Sequence, residues 1–432
     1  MYLLQKGRNL NEVNQMKFRT RQLFLLVFLM VGSGALSVQA ISESSGNEKA
    51  RITKEFVVEK GAALVMKRVT GHISITGWDK QKVEIVEDVD INAFTDAEKQ
   101  RITEKMNTNY HQRDGDIIIS GQRRGHIQNH RYTIFVPQQF DLDIRNDNGS
   151  IFIENIKGDM DLSSRNGGLR LTGCTGSVYL KTSAGNLVLK DVQGDFDGKT
   201  SGGNITIQNG TGTFSLTTSG GNISATRISN RINLKTSGGW LEINEIDGDL
   251  KAHTSGGSIR AYDGNGKFRL STSGGSIDLQ RLSGVLRAST SGGSIQGSQF
   301  EGEVDLKTSG GDIKLKKLAA VLDGKTHGGD ITVDVTLEDF TKPHGINLFT
   351  FGGDIVVNLP VDLPAYISAR IATHTRRSYQ RFDIYSDFPL TKQASEDAES
   401  ERYIVAEGKI NGGGDDIILR TDRGNIYIKM KK

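Results

Sequence analysis

Cysteine is nearly missing from this chain. Cys174 stands alone among 432 residues, so no internal disulfide is available and stability must come from packing and hydrogen bonding. It also lies far from the N-terminus, which argues against a lipid attached there. Proline occurs only five times, which excludes a Pro/Gly-rich disordered chain despite 52 glycines. The longest apolar run, Leu23–Val31, falls short of the roughly 20 residues that span a bilayer. No apolar segment stands at the C-terminal end either, where the chain reads Ile426 to Lys432. A surplus of one charge is missing too. The formal net charge is +3, and about −1 once residues 1–40 are set aside, so the basic excess of a nucleic-acid-binding domain is lacking.

That segment, 1–40, reads as an export signal. Lys17, Arg19 and Arg21 precede the apolar run, and Val38-Gln39-Ala40 offers a small-residue cleavage site before Ile41. Residues 1–15 read as an extension ahead of a natural start at Met16. The mature chain is expected to have no transmembrane segment and to reach the periplasm, the cell surface or the medium.

What the chain has in abundance is one tetrapeptide. Thr-Ser-Gly-Gly begins at Thr200, Thr218, Thr236, Thr254, Thr272, Thr290 and Thr308, always at the same spacing. Degenerate copies at Asn146, Ser164, Thr182 and Thr326 give eleven units without insertion or deletion. A fixed period of roughly 20 residues marks a solenoid, whose units bury their apolar faces only against their neighbours.

With the first residue of each copy as position one, position six is aliphatic in every unit from Ile151 to Ile331. Position fifteen is apolar from Met160 to Phe340, and positions eight and seventeen are mostly Ile, Leu or Ala. Each unit should therefore hold two short inward-facing strands. Position eleven adds a buried column with Ile156, Cys174, Val192, Leu282 and Phe300, which makes Cys174 a core residue. Glycine at position thirteen in eight units, with Asn230 in another, marks a left-handed turn. The glycines at positions three and four are expected to adopt positive φ and to let successive backbones approach. A strand rather than a helix follows them, which excludes a phosphate cradle. Threonine at position one and serine at two are expected to form hydroxyl ladders. Asn186, Asn204 and Asn222 should form an amide ladder, continued by Ser258, Ser276 and Ser294. At about 4.8 Å per rung the array makes a rod roughly 50 Å long.

Residues 41–145 read as an N-terminal cap separate from the array, with strands around Val57, Val65, Ile85, Ile118 and Ile134. A short helix is expected over 95–109, with Thr95 as N-cap and Glu98 three residues on. The solenoid is placed at 146–349. Residues 350–432 read as a closing β region, in which Thr350 and Thr421 echo the repeat and a polar loop covers Gln393 to Arg402.

Gly71-His72-Ile73-Ser74-Ile75, the repeated Thr-Ser-Gly-Gly-x-Ile, and the end from Gly412 to Ile426 resemble the bacterial putative-adhesin domain family of unknown function. The likeness covers most of residues 55–430. It implies an exported, all-β, right-handed parallel β-solenoid whose rung is one repeat long, about 18 residues. It carries no binding residues to transfer.

The functional reading is an exported, non-catalytic scaffold or adhesin-like protein of the cell envelope, with an envelope glycan or protein as partner. The alternative is a carbohydrate-active enzyme, a lyase or hydrolase, which would need clustered carboxylates or a base beside an arginine. No cofactor is implied. His126 and His130 lack helical ligand spacing, and the nine-residue calcium repeat is absent, although Asp312, Asp330 and Asp354 line up after the Gly pair. Four outward residues are candidate surface contacts. Lys251, Arg269 and Arg287 recur at position sixteen, followed by Asp305 and Asp323, and Trp240 offers a flat surface for a sugar ring.

Overall fold

The computed structural model describes residues 36–41, 48–91, 109–121, 127–373, 381–396 and 402–431, with isolated positions between 95 and 104. Thirty strands among these residues join in one unclosed sheet, and successive units pair parallel and in register. Position six lies on position six, Ile205 on Ile223, and position fifteen on position fifteen, Phe214 on Ile232. In the strand Ile205–Thr217, alternation turns Ile205, Ile207, Phe214 and Leu216 inward. Like thus stacks on like. The Phe196 and Phe214 rings lie 5.4 Å apart between centroids. Where a core position is glycine, a neighbouring ring fills the space: Phe214 over Gly210, Phe268 over Gly264, Phe300 over Gly297. The chain is an all-β solenoid, as the repeat demands, and Cys174 is a fully buried member of its core.

Three bends shape each rung, and glycine marks only two of them. At position thirteen the expected left-handed turn is present, with φ of +126° at Gly194, +137° at Gly212 and 88° at Asn230. The bend at position ten leaves no glycine signal. Asp191, Asn209, Arg227, Glu245, Asp263, Arg281, Gln299 and Lys317 all sit there at φ between 51° and 62°. Each costs roughly 1 kcal/mol of backbone strain. Their side chains form an outward column that recovers part of this. The Asn209 amide donates to Asp191 at 2.6 Å, Arg227 donates to Asn209 at 2.7 Å, and Arg281 forks onto Asp263.

The Thr-Ser-Gly-Gly corner corrects the expectation of positive φ. None of its paired glycines from Gly202 to Gly329 is left-handed. The second glycine of each pair is needed for close approach instead, since a Cβ there would enter the carbonyl oxygen of the preceding rung. The first faces open space, and a Cβ on Gly256 would meet nothing nearer than 3.6 Å. Asn148, Asn166 and Ala184 accordingly occupy that place in early units.

The ladders also differ from expectation. Threonine hydroxyls bond to backbone rather than to one another. Thr254 Oγ1 donates to the Gly239 carbonyl at 2.8 Å and accepts the Gly257 N–H at 3.2 Å. The same bridge runs from Ser164 to Thr326 and on to Thr350, and the Thr421 hydroxyl makes the donating half of it, to the Gly353 carbonyl. The asparagines likewise serve backbone: Asn204 N–H donates to Asn186 Oδ1, and Asn222 N–H to Asn204 Oδ1, each at 2.8 Å. At the corner, the N–H groups of Ser237 and Gly238 donate to the Ser219 carbonyl of the preceding rung, and polar side chains serve the neighbouring groups that backbone leaves unpaired.

The array does not stop where the sequence period does. Leu322 pairs with Ile346 rather than Phe340, because Pro343 and the surrounding turn interrupt the strand, and Phe340 packs against the edge of the core. Thr326 lies beside Thr350, and Thr350 beside Thr421. The strand Ala365–Thr373 then lies outside Asp415–Thr421, followed by antiparallel Arg402–Ile410 and Thr391–Glu396. Residues 393–396, expected in a polar loop, are therefore strand. An edge strand needs backbone partners more than apolar side chains. Residues 397–401 lie outside the described ones.

The other end mirrors this. Ala63–Thr70 and His72–Trp78, read as separate from the array, form one of its rungs, with Leu64 on Leu142 and Ile73 on Ile151. Asp116–Ser120 and Ile127–Pro137 stack outside them. Antiparallel Lys82–Ile91, Glu48–Val57 and Leu36–Ile41 finish this end. At 95, Thr95 Oγ1 accepts the Glu98 N–H at 3.2 Å, as an N-cap does. The strand Leu36–Ile41 overlaps the end of the segment read as a leader, whose apolar run lies outside the described residues.

Candidate functional site

Position sixteen faces outward from the third straight stretch of each rung. Parallel register puts Lys251 beside Arg269, Arg269 beside Arg287, and Arg287 beside Asp305. The structure therefore brings three of the four expected contact residues into one exposed row. They line an open depression of about 330 Å³ together with Ser271, Ser289 and Lys307.

The surroundings of this row distinguish it. On other rungs an acid at position sixteen is neutralised by a lysine two residues on: Lys199 reaches Asp197 at 3.2 Å, Lys307 reaches Asp305 at 3.1 Å, and Lys325 reaches Asp323 at 2.9 Å. Residues i and i+2 of a strand share a face, so such pairs form within a rung. On the three central rungs the sign at sixteen is reversed and position eighteen is His253, Ser271 or Ser289. Asp249 is the one acid at positions fourteen, sixteen or eighteen of these rungs. Arg231, Lys235 and Lys267, exposed on the same face, widen the positive field. Sequence reading missed these three, although the same alignment of repeats contains them.

Trp240 is not part of this row. It stands at position five, on the far side of the corner, 43% exposed. Except at Gly168, position five is otherwise the column whose side chains accept the N–H of the next rung. Trp240 N–H donates to Asn222 Oδ1 at 3.0 Å, but the indole offers no oxygen to Ser258 in turn. Replacing it with asparagine should restore the link. We expect Trp240→Asn to raise stability by about 1 kcal/mol, read from the urea midpoint. An unchanged or lower midpoint would show that packing of the indole outweighs the missing hydrogen bond.

A second depression, of about 510 Å³, lies on the face after the corner and includes Glu242, Asn244, Tyr262, Asp263, Gln280 and Arg281. Its carboxylate Asp263 is held below the usual range by a hydrogen bond from Arg281 and by that side chain's charge. A carboxylate so paired is a poor general acid.

The remaining chemistry-bearing residues have structural partners. Asp312, Asp330 and Asp354 accept the N–H of Asp330, Asp354 and Asn425 at 3.0, 2.9 and 2.7 Å, continuing the position-five ladder. Among the described residues no group of three or more His, Cys, Asp or Glu could hold a metal ion. His130 and the Tyr110 hydroxyl both bond to the buried Glu87 carboxylate in the cap, and burial pushes the Tyr110 pKa well up. His126 lies outside the described residues. Burial also raises the Cys174 thiol, which keeps it unreactive. No helix among the described residues is long and apolar enough to cross a membrane.

No curated protein matches the chain. A putative cell adhesion protein from Clostridium sporogenes ATCC 15579 shares 11% identity over 88% of this chain and 99% of its own, with a TM-score of 0.13. So low a score carries no argument. The pattern of the Toastrack DUF4097 family matches residues 190–358, the heart of the rung array. Through that match the chain resembles a domain family of unknown function whose fold is a β-solenoid.

Proposed function

We propose that this chain is an exported, non-catalytic, adhesin-like scaffold of the bacterial cell envelope, with residues 1–40 as its leader. The observation that carries the reading is the outward row Lys251, Arg269 and Arg287, none of which forms an ion pair among the described residues, on a surface whose acidic position-sixteen residues are each bridged to a basic side chain. A stiff stack of identical corners presents that row without an enclosed cleft, which suits contact with a large partner better than turnover of a small one. Trp240 is a separate contact point on another face.

The test is a glycan array read beside a reducing-end assay on the same polysaccharides. Binding without sugar release is expected, and release would overturn the scaffold in favour of a carbohydrate-active enzyme. Export has its own test. N-terminal sequencing of the secreted protein should start at or next to Ile41, and a different start would refute the leader. Cleavage there removes most of Leu36–Ile41 and leaves Glu48–Val57 as the outer strand of its end.

A further inference from the structure

We infer that the partner of the Lys251–Arg269–Arg287 row is a linear acidic polysaccharide lying parallel to the solenoid axis, with its acid groups spread over successive rungs. This rests on the scaffold reading and names the ligand of its contact face.

Spacing comes first. In-register pairing sets the three cations about 4.8 Å apart, so the row is about 10 Å long. That spacing is shorter than the Debye length of about 8 Å at physiological ionic strength. The row therefore acts as one field rather than three. Arg231 and Lys235 extend it by one rung, and Lys267 thickens it.

The limits of the field come next. Beyond Arg287, Asp305 and Asp323 are each closed by their own lysines, and Lys199 closes Asp197 on the other side. Positive potential is thus bounded at both ends along the axis, a patch about four rungs long that a short stretch of polymer would cover and a bilayer would overrun. A bilayer laid on this face would also meet Glu303, Asp305 and Asp323. The one large exposed hydrophobic residue of the face, Tyr179, lies four rungs from Lys251 and could not anchor a membrane at the row. A single-stranded nucleic acid would call for stacking aromatics along the strip, and positions fourteen, sixteen and eighteen from Arg231 to Ser289 have no Phe, Tyr or Trp.

A polymer is required for affinity. Each exposed ion pair contributes little, and the depression is open. Repetition of weak contacts along one chain multiplies their effect. His253 at position eighteen forms a hydrogen bond with the Ser271 hydroxyl at 2.9 Å, which fixes both polar side chains beside the row.

The experiment uses the full chain and measures binding to polygalacturonate, with dextran as the uncharged control. We expect binding to polygalacturonate only, weakened as salt rises. The variant Lys251→Gln/Arg269→Gln/Arg287→Gln should bind roughly tenfold more weakly. A control of equal charge loss on other surfaces, Lys157→Gln/Lys190→Gln/Lys316→Gln, should bind as the unmodified chain does. Equal losses in both variants, or none in the first, would overturn the inference. So would tighter, row-dependent binding to a DNA duplex or to anionic phospholipid vesicles. Row-independent binding of neutral glycans would sink this ligand class while leaving the scaffold standing. Sugar release in the reducing-end assay would sink the scaffold itself.

Discussion

Gly257→Ala should disrupt the middle of the array, whereas Gly256→Ala should be harmless. A Cβ on Gly257 would overlap the Gly239 carbonyl oxygen and lie 2.8 Å from Trp240 N, both backbone atoms that cannot swing away. Relief requires the two rungs to part, which breaks the ladder from Leu241 to His253 on one side and Ile259 to Ser271 on the other. We expect a loss of about 3 kcal/mol or more. At Gly256 the nearest atom is 3.6 Å from a Cβ and φ is not left-handed, so alanine should be neutral or stabilising by about 0.5 kcal/mol. Urea unfolding of the two variants decides the matter. Equal midpoints would show that the corner relaxes easily and that close approach does not explain the invariance within this chain.

Thr254→Val should come next in size. Valine keeps the shape of threonine but removes the hydroxyl that joins Gly257 N–H to Gly239 C=O. Thr254 is fully buried, so water cannot replace it. Two backbone groups stranded without partners cost about 2–4 kcal/mol together. Thr254→Ser retains the hydroxyl, as Ser164 does naturally, and should lose less than about 1 kcal/mol. Rungs interact only with their neighbours, so the damage should be local. Hydrogen exchange at the Gly257 amide is the sensitive readout. It should quicken in the valine variant and not in the serine variant, and unchanged exchange in both would refute the bridge.

These expectations indicate which parts of the fold the sequence could disclose. Columns of Ile, Leu and Phe at fixed spacing announced the core, because stacking of identical units repeats the same burial one repeat later. The corner at position ten left no such trace. Its strain is offset by neighbours in space, so Arg, Glu, Lys and Gln serve where glycine would have advertised the bend. The rungs at 63–78 and 417–431 showed only in part, through Gly71–Ile75 and Thr421, for a different reason. Their partners in space are not their neighbours in sequence, and no period survives so long an excursion. The basic row was visible as a column. Its significance was not, because Asp305–Lys307 and Asp323–Lys325 become neutral pairs only once the strand face is known.

The displaced order of the end rungs has a mechanical consequence. The strand Ile426–Lys431, last in the described chain, is hydrogen-bonded on both sides, to Ile355–Pro360 and to Ile384–Ser386. Tension applied there cannot peel an outer strand one bond at a time. It must shear two ladders together, and the outer strands Ala365–Thr373 and Arg402–Ile410 must give way before the stack can unwind. A rod finished in this way resists unravelling under load from that end, a property suited to a molecule that holds one surface against another.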